Sequence, residues 1–169
     1  IDGVYGSAQD DTITGSVYGN VIYGGAGNDT INGGDGADDM FGGDDNDTMN
    51  GGADDDLMYG GAGNDTLDDG LGSDEVYGGA GNDTIISTIN DGSGRDDLFG
   101  GDGDDTITGG ADSDYIEGGA GNDTLTGGDG NGDFASYFND TSGVTVNLSD
   151  TNAQDTGGGG VDTLSGFEN

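Results

Sequence analysis

GGAGNDTIN at 24–32, followed at once by GGDGADDMF at 33–41, decides how this chain folds. The same nine-residue phrase returns as GGAGNDTLD (60–68), GGAGNDTII (78–86) and GGAGNDTLT (118–126). A fixed period this short is the signature of a coiled β-solenoid, in which each unit cannot bury its apolar face alone and stacks on its neighbours. Units begin at Gly6, Gly15, Gly24, Gly33, Gly42, Gly51, Gly60, Asp69 and Gly78, pause for a four-residue insertion at Ser87 to Asn90, and resume at Asp91, Gly100, Gly109 and Gly118, with an irregular unit at Gly127.

Two positions of the unit carry the reading. Position six is Asp11, Asn20, Asp29, Asp38, Asp47, Asp56, Asp65, Asp74, Asp83, Asp96, Asp105, Asp114 and Asp123. Position eight is Ile13, Ile22, Ile31, Met40, Met49, Met58, Leu67, Val76, Ile85, Leu98, Ile107, Ile116 and Leu125. The residues flanking position eight are mixed or polar, so positions seven to nine read as a short strand with only its middle side chain inward. Over this lies a second period of eighteen. Position seven is Thr12, Thr30, Thr48, Thr66, Thr84, Thr106 and Thr124 in alternate units, and position nine of the others is Tyr5, Tyr23, Phe41, Tyr59, Tyr77 and Phe99. Two nonapeptides therefore make one coil, with one strand in each of two parallel sheets, one showing water a threonine column and the other an aromatic column. Phe99 and Thr106 keep the alternation, so the insertion reads as a bulged loop within a continuous roll. Rungs about 4.8 Å apart give seven coils a length of roughly 34 Å.

Composition limits the function. The 36 acidic residues face one basic residue, Arg95, for a net charge of −35, which excludes unaided binding to nucleic acid or anionic lipid. No apolar run is long enough to insert into a membrane. With 42 glycines and 28% hydrophobic residues, the chain cannot build a thick core and must organise around something else. It has no histidine, cysteine or lysine, so it cannot supply a Ser–His–Asp triad, a thiol nucleophile or a Schiff-base lysine. Carboxylate pairs of the kind a glycosidase uses are plentiful, but their regular spacing reads as structural chelation. A Gly/Asp-rich tract is ordinarily a flexible linker; the strict phase, the obligate aliphatic slot and the eighteen-residue alternation argue against that here.

The turn suits a hard cation. Glycine permits the positive φ that aims carbonyls inward, and aspartate adds a short anionic oxygen. Calcium accepts six to eight such oxygens in irregular geometry, magnesium demands a tighter octahedron, and zinc prefers His or Cys. The residues thus point to calcium, with an apo chain that is disordered and a bound chain whose folding free energy is calcium binding.

The units resemble the GGxGxDxUx nonapeptide of the RTX (repeats-in-toxin, hemolysin-type calcium-binding) family across residues 2–135 and again at 157–169. The resemblance implies an all-β parallel β-roll with calcium held between loops one coil apart. By the geometry it implies, one loop gives the carbonyls of positions two and four and its Asp, and the next coil gives the carbonyls of positions one and three and its Asp. One such site joins Gly25, Gly27 and Asp29 to Gly42, Asp44 and Asp47; another, on the opposite edge, joins Gly34, Gly36 and Asp38 to Gly51, Ala53 and Asp56. Carried along the chain, the candidate ligands continue with Gly60, Ala62 and Asp65, with Gly78, Ala80 and Asp83, with Gly100, Asp102 and Asp105, and with Gly118, Ala120 and Asp123. Asp11, Asp74, Asp96 and Asp114 join as carboxylates alone.

Departures are expected to matter. Asn20 carries no charge, and the loops GSAQDD (6–11) and GSVYGN (15–20) lack key glycines, so the first coil should bind weakly. Asp69 and Asp91 replace the first glycine; Asp45, Asp54 and Asp112 replace the fourth, where Asp tolerates a left-handed backbone better than most residues. Gly132 shifts Asp133 by one place, which is expected to end the regular roll. The roll is therefore assigned to 1–133. Residues 134–169 read as an irregular, strand-rich cap that returns to a repeat at GGGGVDTLS (157–165), with Val144, Val146 and Leu148 alternating as a half-buried strand. FASYFNDTSGVTVNLSD (134–150) resembles segments that interrupt or terminate RTX rolls. The repeat is in phase at both ends of the chain, which reads as a piece of a longer protein.

Four functions fit. The first is a non-catalytic calcium-binding module of a secreted or cell-surface protein, which the resemblance ties to bacterial type I secretion and folding in extracellular calcium. The second is a recognition surface for a polysaccharide, a cell envelope or ice, through the threonine or aromatic column. In the third, the module belongs to an enzyme such as a protease, lipase or epimerase whose catalysis lies elsewhere. The fourth is a stiff spacer in an adhesin or surface-layer protein.

Overall fold

The computed structural model describes residues 2–87 and 94–167. Strands, numbered in chain order, alternate between two sheets. The first sheet stacks β1 (Asp2–Tyr5), β3 (Asn20–Ala26), β5 (Asp39–Asp44), β7 (Leu57–Ala62), β9 (Glu75–Ala80), β11 (Asp97–Asp102), β13 (Tyr115–Ala120) and β15 (Phe134–Ala135). The second stacks β2 (Thr12–Ser16), β4 (Thr30–Asp35), β6 (Thr48–Ala53), β8 (Thr66–Leu71), β10 (Thr84–Ile86), β12 (Thr106–Thr108), β14 (Thr124–Thr126) and then β17 (Val161–Ser165), which β16 (Gln154–Asp155) joins antiparallel. Among the described residues there is no helix. Up to β14 the roll pairings are parallel with an offset of eighteen residues, as in Ile31↔Met49 and Met40↔Met58, and of twenty-two where the insertion intervenes, as in Ile85↔Ile107. The fold is a parallel β-roll of about seven turns.

The core is a single file. Every position-eight residue from Ile13 to Leu125 is buried, and Leu164 and Phe167 extend the file. Thr30, Thr48, Thr66, Thr106 and Thr124 stand exposed on the second sheet. On the first sheet the rings of Tyr5, Tyr23, Phe41, Tyr59, Tyr77 and Phe99 stack with centroids 4.6–5.2 Å apart and planes within 10° of parallel.

Most strands are longer than the sequence predicts. β5 runs six residues, through positions seven, eight and nine and on into positions one to three of the next unit, and it buries Gly42 as well as Met40. Position one is thus a second inward residue, hidden from a hydrophobicity pattern because it is glycine. The reason for glycine is steric: a Cβ on Gly42 would lie 2.6 Å from Gly60 O and 3.0 Å from Asp47 Cγ. Position two is glycine for a different reason. Gly43 has φ 126° and Gly52 φ 116°, and a Cβ there would strike the backbone of the coil before.

The insertion enters later in the loop than expected. Ser87 N–H donates to Thr108 O at 2.8 Å, as Gly109 N–H does to Thr126 O, so Ser87 takes position one and the extra residues follow it. Residues 88–90 and Asp91 lie outside the described residues.

Two expectations for the C-terminal part are revised. Asp133 does not end the roll: β15 pairs with β13 directly after it, and the extra residue at Gly132 is absorbed in the loop. Residues 144–148 are not a strand; Val146 and Leu148 alternate with exposed neighbours and pack on the core, but they make no ladder. The chain leaves the roll after Ala135 and re-enters at β17, where Leu164 pairs with Leu125.

Candidate metal centres

Each position-six aspartate is the last loop residue before a strand, which fixes its place at the edge of the roll. Asp29, Asp38, Asp47, Asp56, Asp65, Asp74, Asp83, Asp96, Asp105, Asp114 and Asp123 are buried, and Asp11 is half-buried. One oxygen of each buried one holds the ladder together. Along one edge, Asp29 N–H donates to Asp47 Oδ1 at 2.7 Å, Asp47 N–H to Asp65 Oδ1 at 2.7 Å, and Asp65 N–H to Asp83 Oδ1 at 2.8 Å. Along the other, Asp38 N–H donates to Asp56 Oδ1 at 2.8 Å and Asp56 N–H to Asp74 Oδ1 at 2.7 Å.

The second oxygen is the informative one. The Oδ2 atoms of Asp29, Asp38, Asp47, Asp56, Asp65, Asp83, Asp105, Asp114 and Asp123 are buried with no hydrogen-bond partner. Burying an ionised oxygen without a partner is costly, and here it happens at nine of these aspartates, on both edges. These oxygens converge with backbone carbonyls. The point where a Cβ of Gly24 would sit is flanked by Asp29 Oδ2 and, at 2.6 Å, by Gly42 O of the next coil. Gly33 repeats this on the other edge with Asp38 Oδ2 and Gly51 O.

The other sequence-predicted ligands are brought into register. Gly25 pairs with Gly43 and Ala26 with Asp44, which sets the loop of Gly25 and Gly27 on that of Gly42, Asp44 and Asp47. Gly34 pairs with Gly52 and Asp35 with Ala53, which sets Gly36 on the loop of Gly51 and Asp56. The pairs Ala62↔Ala80, Ala80↔Asp102 and Asp102↔Ala120 carry the column past Gly60, Gly78, Gly100 and Gly118. The carbonyls of Ala53, Ala80, Asp102 and Ala120 each accept a backbone N–H from the coil before, which leaves one lone pair apiece. At position four, Asp45, Asp54 and Asp112 take φ 73°, 76° and 87°, so the turn survives the loss of glycine there.

The first coil is arranged differently from the others. Asp11 Oδ2 accepts Ser7 N–H at 2.6 Å and Asn20 Oδ1 accepts Ser16 N–H at 2.7 Å, so both are tied to their own loops. Three aspartates were missed by sequence reasoning. Asp114 N–H donates to Asp133 Oδ1 and Asp123 N–H to Asp162 Oδ1, each at 3.0 Å, so Asp133 and Asp162 top the two columns. GGGGVDTLS contained the signal for Asp162; the one-residue shift at Gly132 concealed Asp133. The third, Asp69, is fully buried beside Asp74 and Asp96.

A family model described as the RTX calcium-binding nonapeptide repeat (4 copies) matches residues 5–40, 14–49, 32–67, 50–85, 86–116 and 99–133. The chain belongs to the RTX calcium-binding repeat family. A comparison with curated proteins finds no match. The RTX repeat is a calcium-binding repeat, and the unpaired Oδ2 columns with their facing carbonyls are an all-oxygen donor set of the kind calcium takes.

Without a cation, the RTX columns strain their own protonation. Burial, the largest cause, pushes Asp56 up to about 8, Asp105 and Asp114 to about 7, and Asp47, Asp65 and Asp123 to about 6. The backbone N–H from the coil before pulls each of them down, and neighbouring carboxylates push it up. Folded values above unfolded ones mean that the metal-free roll binds more protons than the unfolded chain. Its stability is then greatest below about pH 4 and falls as pH rises through about 6 to 8. In chelator, the chain should show more strand signal by circular dichroism at about pH 5 than at about pH 8. Identical spectra at the two would show that these carboxylates do not oppose the fold.

Proposed function

We propose that this chain is a non-catalytic calcium-binding module of a larger secreted or cell-surface protein, folding where calcium is plentiful. The observation that carries this reading is the recurrence of buried, unpartnered Asp Oδ2 atoms on both edges, at Asp29, Asp47, Asp65, Asp83, Asp105 and Asp123 on one and at Asp38, Asp56 and Asp114 on the other. Each intercoil site draws on Asp carboxylates of two coils and on the carbonyls between them: Gly25, Gly27, Gly42 and Asp44 for Asp29 with Asp47, and Gly34, Gly36, Gly51 and Ala53 for Asp38 with Asp56. Bound calcium supplies two positive charges per aspartate pair. The absence of histidine, cysteine and lysine from the chain supports a role without catalysis by this segment. Location outside the cell, by type I secretion as in the family, rests on the same dependence, since a chain that folds on calcium stays unfolded where calcium is scarce.

Calorimetric titration of the metal-stripped chain tests the reading. Several calcium ions per chain are expected. Because Asp47 stands between Asp29 and Asp65, Asp47→Asn should weaken two sites, whereas Asp11→Asn should weaken no more than one. A titration without calcium heat would overturn the proposal.

A recognition surface is the second reading, favoured by the in-register threonine column on the second sheet. The aromatic column serves it poorly as a sugar platform, because its rings cover one another's faces. Thermal hysteresis or glycan-array binding in calcium would support it; silence in both leaves the module as a scaffold within an enzyme, an adhesin or a surface layer.

A further inference from the structure

We propose that Asp69, Asp74 and Asp96 together form a three-carboxylate cation site that holds calcium more tightly than the other coils do; this deepens the calcium reading and rests on it. Position one of the loop is glycine along both columns, apart from Ser87 and Asp69 among the described residues. Every such glycine lies against the core side of the aspartate column, where a Cβ on Gly60 would come within 3.0 Å of Asp65 Cβ and one on Gly78 within 2.9 Å of Asp83 Cβ. Asp69 fills that place with a third carboxylate.

Its surroundings are those of a ligand. Asp69 is 0% exposed. Gly70 N–H holds its Oδ1 at 2.7 Å, while its Oδ2 has no hydrogen-bond partner. One carboxylate oxygen from each of Asp69, Asp74 and Asp96 lies within 4.8 Å of the others. Oxygens that share one calcium at 2.3–2.6 Å stand no more than about 5 Å apart, so these three fit a single coordination sphere. The neighbours fix the other two: Asp56 N–H donates to Asp74 Oδ1 at 2.7 Å, and Asp96 accepts Asp74 N–H on Oδ1 at 3.0 Å and the Ser87 hydroxyl on Oδ2 at 2.8 Å. The chain itself provides no counter-charge, since its single basic residue, Arg95, pairs with Asp97 at 2.8 Å on the surface. Calcium affinity rises with the number of charged ligands at a site. This coil pair, near the middle of the rod, should therefore fill first on loading and empty last on chelation.

The test loads the metal-stripped chain with one equivalent of terbium and measures luminescence lifetimes in light and heavy water, then titrates calcium against a competing chelator. Wild type should show one tight class and few waters on the first ion. Asp69→Asn keeps the volume of the side chain, and Asp69→Gly restores the glycine of the other loops. Both should lose the tight class and gain about one water on the first ion. Losing even an outer-shell partner costs metal affinity roughly tenfold or more, so a direct ligand should cost at least that. Variants that keep the tight class and the same hydration would overturn the proposal and leave Asp69 as a buried protonated acid, with the calcium reading intact. A wild-type chain that binds no ion would overturn both.

Discussion

Stripping calcium should unfold the roll. In excess chelator at neutral pH, circular dichroism should lose the strand signal and size exclusion should report an expanded chain; millimolar calcium should restore both, and magnesium should not. The expectation follows from two columns of buried aspartates with unpaired oxygens. Neighbouring carboxylates one rung apart, at about 5 Å, repel by about 3 kcal/mol at an effective dielectric near 20. A handful of such pairs matches the whole net stability of an ordinary domain, about 5–15 kcal/mol. The single-file core cannot hold against that, because each coil buries one large apolar side chain per sheet. Strand signal indifferent to chelation would remove the foundation of the functional reading.

The second large effect is expected from adding a side chain at one position-two glycine. Gly52→Val should lower the melting temperature of the calcium-loaded chain steeply, or prevent folding. Gly52 has φ 116°, and a Cβ there would collide with Gly34 O and lie 2.9 Å from Gly34 C in the coil before. The backbone conformation alone costs an L-residue about 1–3 kcal/mol. The clash adds to that, because Gly34 and Gly52 are ladder partners and cannot separate without breaking the rung. Thr48→Ser, four residues away on the exposed face of the same strand, should change stability by no more than about 0.5 kcal/mol. Equal melting curves for the two variants would mean that the coils are not packed as described.

The columns explain why this chain was so legible. In a roll, the partner of residue i is residue i+18, so a repeat in the sequence is also a contact map. Met40 meets Met58, Thr48 meets Thr66, and Tyr59 meets Tyr77 because the period places them there. The aspartates that ligate and the aliphatic residues that pack were both visible for that reason. Reading failed where the reason for a residue lay in the next coil. Gly42 is a buried strand residue whose identity reports the Asp47 carboxylate beside it, and no hydropathy pattern shows that. Val144, Val146 and Leu148 alternate as a strand would, yet they join neither sheet: the second continues from β14 to β17, which arrives from beyond them, and the first ends at β15.

What the sequence determined by itself was the period, the two sheets, the file of apolar side chains and the two acidic edges, because each of these is a local chemical choice repeated in phase. What only the tertiary structure decided was where the phase survives interruption. Asp133 and Asp162 rejoin their columns after a shift of one residue and an excursion of more than twenty, and Asp69 meets Asp96 across the insertion. Loop residues can be added at little cost when both ends still reach the ladder, so a break in the repeat need not be a break in the roll.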